Sequence, residues 1–238
     1  MDNRTNPSSQ AASSVLKQVL QGIQSSPRPD GLGKIIQVCA ANPKMGTSFV
    51  ARNLAELAAA NSGYDEKRVG LFDCDLQQQD QTGFFFAPHR AVDMQGPYDV
   101  RFGGSGFWAV QTPTGQYKDM PNLCGIFINA KSGLAFTTLF WDQLQAGDQL
   151  QFFVNDAYWM HLRSQFSYIF VDMPAFDRSQ DCLALAPHCD GTIIVALADE
   201  AEDPLHRQMR DRIIQTGGRY EGLILNGGSP IQALKGAG

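Results

Sequence analysis

The stretch Ile35-Ile36-Gln37-Val38-Cys39-Ala40-Ala41-Asn42-Pro43-Lys44-Met45-Gly46-Thr47-Ser48 decides the fold. Its first seven residues, apolar except for Gln37, form a compact run of the kind buried on both faces of a parallel sheet. Pro43 and Gly46 then punctuate a turn. From Phe49 to Ala60 alanines and leucines recur at helical spacing. A strand, a short turn and a helix in that order point backbone N–H groups and a helix N-terminus at one spot, which makes an anion site.

The same alternation continues outward. Val69-Gly70-Leu71-Phe72 reads as a second strand, ending in Asp73-Cys74-Asp75. Tyr168-Ile169-Phe170-Val171 reads as a third, ending in Asp172-Met173-Pro174. Thr192 to Leu197 and Leu223-Ile224-Leu225 are two more, separated by a helix from Pro204 to Gln215. Short hydrophobic strands alternating with helices predict an α/β fold: a mostly parallel β-sheet flanked by helices, with right-handed crossovers. The expected organisation is a polar leader over residues 1–33, a single domain over 34–230 and a tail over 231–238. Within the leader, Val15, Leu16, Val19, Leu20 and Ile23 recur as one face of a short amphipathic helix. Such a helix is marginal alone in water and needs a surface to lie on. Ser25-Ser26-Pro27-Arg28-Pro29-Asp30-Gly31 then breaks it. Residues 80–147, with Phe84-Phe85-Phe86, Gly103-Gly104-Ser105-Gly106 and a strand from Leu123 to Ile128, read as an elaborated connection without assignable chemistry. Phe152 to Gln165 reads as the helix leading into the Asp172 strand.

Composition narrows the class. The 238 residues carry a net charge of −5 and are 43% hydrophobic. No broad positive field exists to attract nucleic acid, and no apolar run approaches the roughly 20 residues that span a bilayer. Met1 to Ser14 are polar and lack the apolar core of a secretory signal. The five cysteines, Cys39, Cys74, Cys124, Cys182 and Cys189, include no C-x-x-C pair and read as reduced thiols. The expectation is a cytoplasmic protein. His89, His161, His188 and His206 share no metal-ligand spacing.

Open parallel sheets bind ligands beyond the carboxyl ends of their strands. Three such ends carry the loop at 41–48, Asp73 with Asp75, and Asp172. In this order and spacing the three motifs resemble the MinD/ParA/Mrp group of P-loop ATPases, and especially the bacterial tyrosine-kinase-like proteins of capsule and exopolysaccharide assembly. That group opens with a strand, a loop close to S-x-x-P-G-x-G-K-S and a helix rich in N-L-A, matched here from Ala40 to Ala55. Its D-x-D motif matches Val69 to Asp75, its D-x-P motif matches Tyr168 to Pro174, and a late strand ending in Asn matches Asn226. The resemblance covers about residues 34–79 and 165–227. It implies a P-loop NTPase-like fold, ATP or ADP with Mg²⁺ as ligands, and a membrane protein of polysaccharide synthesis or export as partner. It implies a place at the inner face of the membrane through that partner, and a homodimer if the MinD/ParA mode applies. It also implies roles: Lys44, Gly46, Thr47 and Ser48 at the phosphates, Asn226 at the base, Ser48 and Asp73 at Mg²⁺, and Asp75 or Asp172 orienting the attacking water.

The departures weigh as much as the matches. Thr47 stands where the group has its P-loop lysine, and a short hydroxyl has neither the charge nor the reach to replace it. Lys44 replaces a loop glycine, Asn42 stands at the extra lysine of MinD-type loops, and Gln77 stands at an arginine that follows D-x-D. The tail Ile231 to Gly238 contains no tyrosine, and the early helix has no E-x-x-R-x-x-R pattern, so a tyrosine kinase is not expected. The leading expectation is a degenerate P-loop protein that regulates or scaffolds polysaccharide synthesis and export, with weak or no ATP hydrolysis. The alternatives are an active MinD/ParA-type positioning ATPase with Lys44 as a relocated cation, and a nucleotide-free structural interaction protein.

Overall fold

The computed structural model describes residues 7–62, 67–91, 93–227 and 233–235. The first six residues of the leader, and the tail apart from 233–235, lie outside them. Of twelve strands among the described residues, β1 (Lys34–Ala40), β2 (Arg68–Asp73), β3 (Met94–Asp99), β4 (Trp108–Gln111), β5 (Tyr117–Lys118), β6 (Cys124–Asn129) and β7 (Ala135–Leu139) come first. They are followed by β8 (Gln149–Phe152), β9 (Phe166–Asp172), β10 (Gly191–Leu197), β11 (Tyr220–Asn226) and β12 (Ala233–Lys235). Six helices intervene: α1 (Pro7–Gln24), α2 (Thr47–Asn61), α3 (Asp80–Phe85), α4 (Asp156–Gln165), α5 (Asp181–Leu185) and α6 (Pro204–Gln215).

The main sheet runs β12-β11-β10-β1-β9-β2-β7-β6-β3. The pairs from β11 through β10, β1, β9 and β2 to β7 are parallel, and the outer strands β12, β6 and β3 add antiparallel edges. All seven residues of β1 are buried, as its apolar run predicts for a strand covered on both faces. One face packs Ile36, Val38, Phe136, Phe170 and Val195 under α1 and α2. The other packs Ile35, Phe72, Ile169, Val171 and Ile194 under α4 to α6. The sheet-and-helix architecture predicted from sequence is thus present. Among the described residues no helix is long and apolar enough to cross a membrane.

The leader helix finds its surface on the domain itself. Leu16, Leu20 and Ile23 of α1 are buried in the same cluster as Val50, Leu54 and Ala58 of α2. The buried ammonium of Lys34 donates to the Ile23 carbonyl at 2.6 Å, satisfying an acceptor in the last turn of α1. Beyond that turn Arg28 pairs with Asp190, whose other oxygen accepts from the Ile35 amide at 2.7 Å.

The middle connection resolves into two parts. β3, β6 and β7 widen the main sheet, with β6 at Cys124–Asn129 where a strand was expected over 123–128. β5, β4 and β8 form a separate antiparallel sheet, and its Phe107-Trp108 corner packs on Phe72 and Tyr158. The helix expected over 152–165 is shorter: Phe152 ends β8, and α4 starts at Asp156 because Asn155 caps it, accepting from the Tyr158 amide at 3.2 Å.

Truncating the docked face of α1 tests whether the leader belongs to the folded body. Leu20→Ala is expected to lower stability by roughly 2–5 kcal/mol, as buried leucines do. Gln21→Ala, on the exposed face, is expected to stay within about 0.5 kcal/mol. Equal midpoints in urea unfolding for the two variants would contradict the packing.

Candidate functional site

The three strand ends singled out from sequence are neighbours. In the order β1-β9-β2, Asp172 is in register with Val38 on one side and with Asp73 on the other. The loop after β1 lies over the same end. Beyond β9 the chain stays bonded to β1 and its loop: the amides of Met173, Phe176 and Asp177 donate to the carbonyls of Val38, Ala40 and Ala41. This path brings Arg178 to the loop.

The loop has a tightly fixed exit. Gly46 has φ 91° and ψ 24°, a left-handed conformation immediately before α2. A side chain there would also collide with Asn226, because a Cβ would come within 2.1 Å of its amide nitrogen. That amide donates to the Met45 carbonyl at 3.0 Å. Asn226 therefore clamps the loop from the end of β11, and it does not line the adjoining cavity. Lys44 is exposed, takes up φ 64°, and makes no hydrogen bond or ion pair among the described residues. The first intrahelical-type bond, Val50 amide to Gly46 carbonyl, is 3.0 Å. None of the described residues accepts from the amides of Thr47, Ser48 or Phe49, the donors that a helix start leaves unpaired.

A groove of about 380 Å³ lies against this helix start, lined by Lys44, Gly46, Thr47, Ser48, Asp75 and Arg178 among others. Larger cavities exist elsewhere, one of about 1090 Å³ beside Arg68, Lys131 and Gly133 and one of about 520 Å³ on the small sheet. The first of these is at the opposite ends of the strands. Chemistry rather than volume therefore selects the smaller groove.

The acids are heavily engaged. Asp73 and Asp172 are each 1% exposed. Asp73 accepts from the amide of Asp75 on one oxygen and from that of Gln81 on the other, both at 3.2 Å. Asp172 accepts at 2.7 Å from the side-chain amide of Gln81, while its second oxygen has no partner. Burial, and next the charge of Asp172, hold the Asp73 carboxyl well above the usual carboxylate range. Burial likewise pushes Asp172 up to about 7, against the opposing hydrogen-bonding influence of Gln81 and of the Ser48 hydroxyl beside it. Asp75 accepts from the amides of Gln77 and Gln78 and pairs with Arg178. Ser48 donates its hydroxyl to Asp80 at 3.2 Å.

Sequence reasoning missed Gln81, Arg178 and Arg52. Gln81 is completely buried; its side chain donates to the Ser48 carbonyl at 3.0 Å as well as to Asp172, and accepts from Arg52 at 3.0 Å. The available signals were weak: a glutamine eight residues past Asp73, an arginine six past Asp172, and an arginine one helical turn into α2.

Two predictions follow the geometry. Folded Asp172 keeps its proton up to about pH 7, whereas an unfolded aspartate releases it near 3.8. The folded state therefore binds more protons between those values; the stabilising contribution is complete below about pH 4 and is lost as pH rises through 7. Asp73 acts in the same sense. Urea stability is expected to decline across this window and to decline less in Asp172→Asn; identical slopes would exclude Asp172 as the source. For the clamp, Gly46→Ala is expected to cost at least about 1 kcal/mol from its backbone alone. In an Asn226→Ala background the cost should fall, and a double-mutant cycle without coupling would refute the contact.

No family model and no curated sequence matches the chain. Solved structures do. The kinase domain of the Escherichia coli tyrosine kinase ETK is similar at 15% identity and TM-score 0.61, over 91% of this chain and 75% of that one. The VpsO kinase domain is similar at 19% identity and TM-score 0.57, over 91% and 93%. The chimerical protein CapA2B2 is similar at 13% identity and TM-score 0.55, over 94% and 86%. With the loop, the two acidic strand ends and the sheet order in place, the chain shares the fold of these kinase domains.

Proposed function

We propose that this protein binds a phosphate-bearing ligand, ADP or ATP, at the start of α2 and hydrolyses it weakly or not at all. In this reading it acts as a regulatory or scaffolding component of exopolysaccharide or capsule synthesis and export. The supporting observation is the mismatch within the loop. Among the described residues none accepts from the amides of Thr47, Ser48 and Phe49, which lie beside a groove, yet position 47 offers a hydroxyl where transition-state charge would need a cation. Of the two guanidinium groups lining the groove, that of Arg178 is paired with Asp75 and that of Arg52 donates to Gln81. The polysaccharide role and a membrane-protein partner rest on the motif resemblance.

Binding would use chemistry the chain already holds. Backbone N–H groups at a helix N-terminus orient phosphate oxygens. Lys44, exposed at the rim of the groove, adds a positive charge there. That position also favours the second reading, a MinD/ParA-type ATPase in which Lys44 is the relocated cation.

Calorimetry and turnover assays with native protein, Lys44→Ala and Thr47→Lys separate the readings. The native protein is expected to bind ADP without measurable turnover. Thr47→Lys should tighten binding by roughly tenfold to a hundredfold, the worth of one charge-assisted hydrogen bond. Native turnover abolished by Lys44→Ala would establish the relocated cation instead. No heat and no thermal stabilisation with ADP or ATP would leave the structural interaction protein.

A further inference from the structure

A Mg²⁺ ion in this fold was expected at Ser48 and Asp73, and the residues present do not fit one. Ser48 turns its hydroxyl to Asp80. Asp73 spends both oxygens on backbone amides. The space between the loop helix and the two acidic strand ends is filled by a side chain.

We infer that the Gln81 carboxamide is the resident substitute for a divalent cation, so that this site takes a phosphate-bearing anion without Mg²⁺. This deepens the reading above and rests on it only for the anion. Gln81 ties together the three segments that a metal would bridge. Its backbone amide reaches Asp73 at 3.2 Å, and its side-chain nitrogen reaches Asp172 at 2.7 Å and the Ser48 carbonyl at 3.0 Å. Its carbonyl oxygen points away from the acids, to Arg52 at 3.0 Å. The amide therefore presents its hydrogens to the acidic side, as a cation would present its charge. Those hydrogens repel a metal ion.

Geometry closes the remaining room. Mg²⁺ demands about six oxygens at roughly 2.0–2.1 Å in near-octahedral array, and an ion on the Asp172 oxygen that accepts from Gln81 would meet that nitrogen, 2.7 Å from the oxygen. Gln81 is fully buried. To admit an ion it would have to leave, giving up its hydrogen bonds with the Arg52 guanidinium and the Ser48 carbonyl. Its place is fixed by α3, which begins one residue earlier and stacks Phe85 on Phe136 at 4.2 Å between ring centroids.

The test uses MnCl₂ alone on nucleotide-free protein, with free Mn²⁺ followed by its electron paramagnetic resonance signal. Native protein is expected to show no site tighter than millimolar. Gln81→Ala should gain one at least tenfold tighter, and Gln81→Ala/Asp73→Asn should lose it again. Gln81→Ser, which leaves a small polar group in the gap, should behave like the alanine variant and serves if the latter does not fold. A native site abolished by Asp73→Asn, or folded Gln81 variants with no gain, would overturn the inference. Native ADP affinity should also be equal within about twofold in Mg²⁺ and in EDTA. If ADP does not bind at all, the nucleotide reading fails while the Mn²⁺ series still decides the role of Gln81.

Discussion

Two carboxyl groups out of water on adjacent parallel strands set the terms for this end of the sheet. The register that pairs Asp73 with Asp172 follows from the apolar strands below them, and both side chains are shielded by the helices above. Like charges so placed are costly in a low-dielectric interior, and the protein must neutralise them, supply donors, or do both. It does both. Protons are retained to higher pH, and amides from Asp75 and Gln81 donate to the oxygens. The Asp73 amide itself is taken up by the Thr137 hydroxyl at 2.9 Å, which ties the acid pair to the neighbouring strand.

The positive groups around the loop are distributed to match. A P-loop that turns over nucleotide concentrates its cation at the residue before the helix serine. Here Thr47 holds that position and the cations lie around it, each with a structural task or on the rim. Arg178 answers Asp75, Arg52 supports Gln81 and lies over the Phe84 ring at 3.6 Å, and Lys44 stands in solvent. The backbone frames the groove: the left-handed Gly46, the clamp from Asn226 and first-turn amides from which no described residue accepts. Backbone geometry binds phosphate in the ground state; the displaced charges bear on the transition state.

Local patterns carried much of this. The run from Ile35 to Ala41 read as a doubly covered strand because no polar face interrupts it, and the D-x-D and D-x-P strand ends landed side by side as their order implied. The leader's Leu16, Leu20 and Ile23 read as a face seeking a surface, which α2 provides. Where patterns are short or mixed the local signal misleads. Phe152 and Phe153 looked helical by their neighbours, yet Asn155 caps the helix later and the alternation at 149–152 belongs to a strand. The segment from 80 to 147 divides between two sheets, and pairing across such distances leaves no periodic trace.

By itself the sequence determined the strand and helix alternation, the position of the loop and the uncharged hydroxyl that Thr47 places in it, because these are properties of neighbouring residues. Only the tertiary structure decided that Asn226 grips the loop rather than facing the groove, that Arg178 reaches Asp75, and that Gln81 fills the gap between Ser48, Asp73 and Asp172. Those contacts join residues that are far apart along the chain, and their partners are chosen by how the layers pack. One amide among many glutamines gives no sign of its burial until the fold has closed over it.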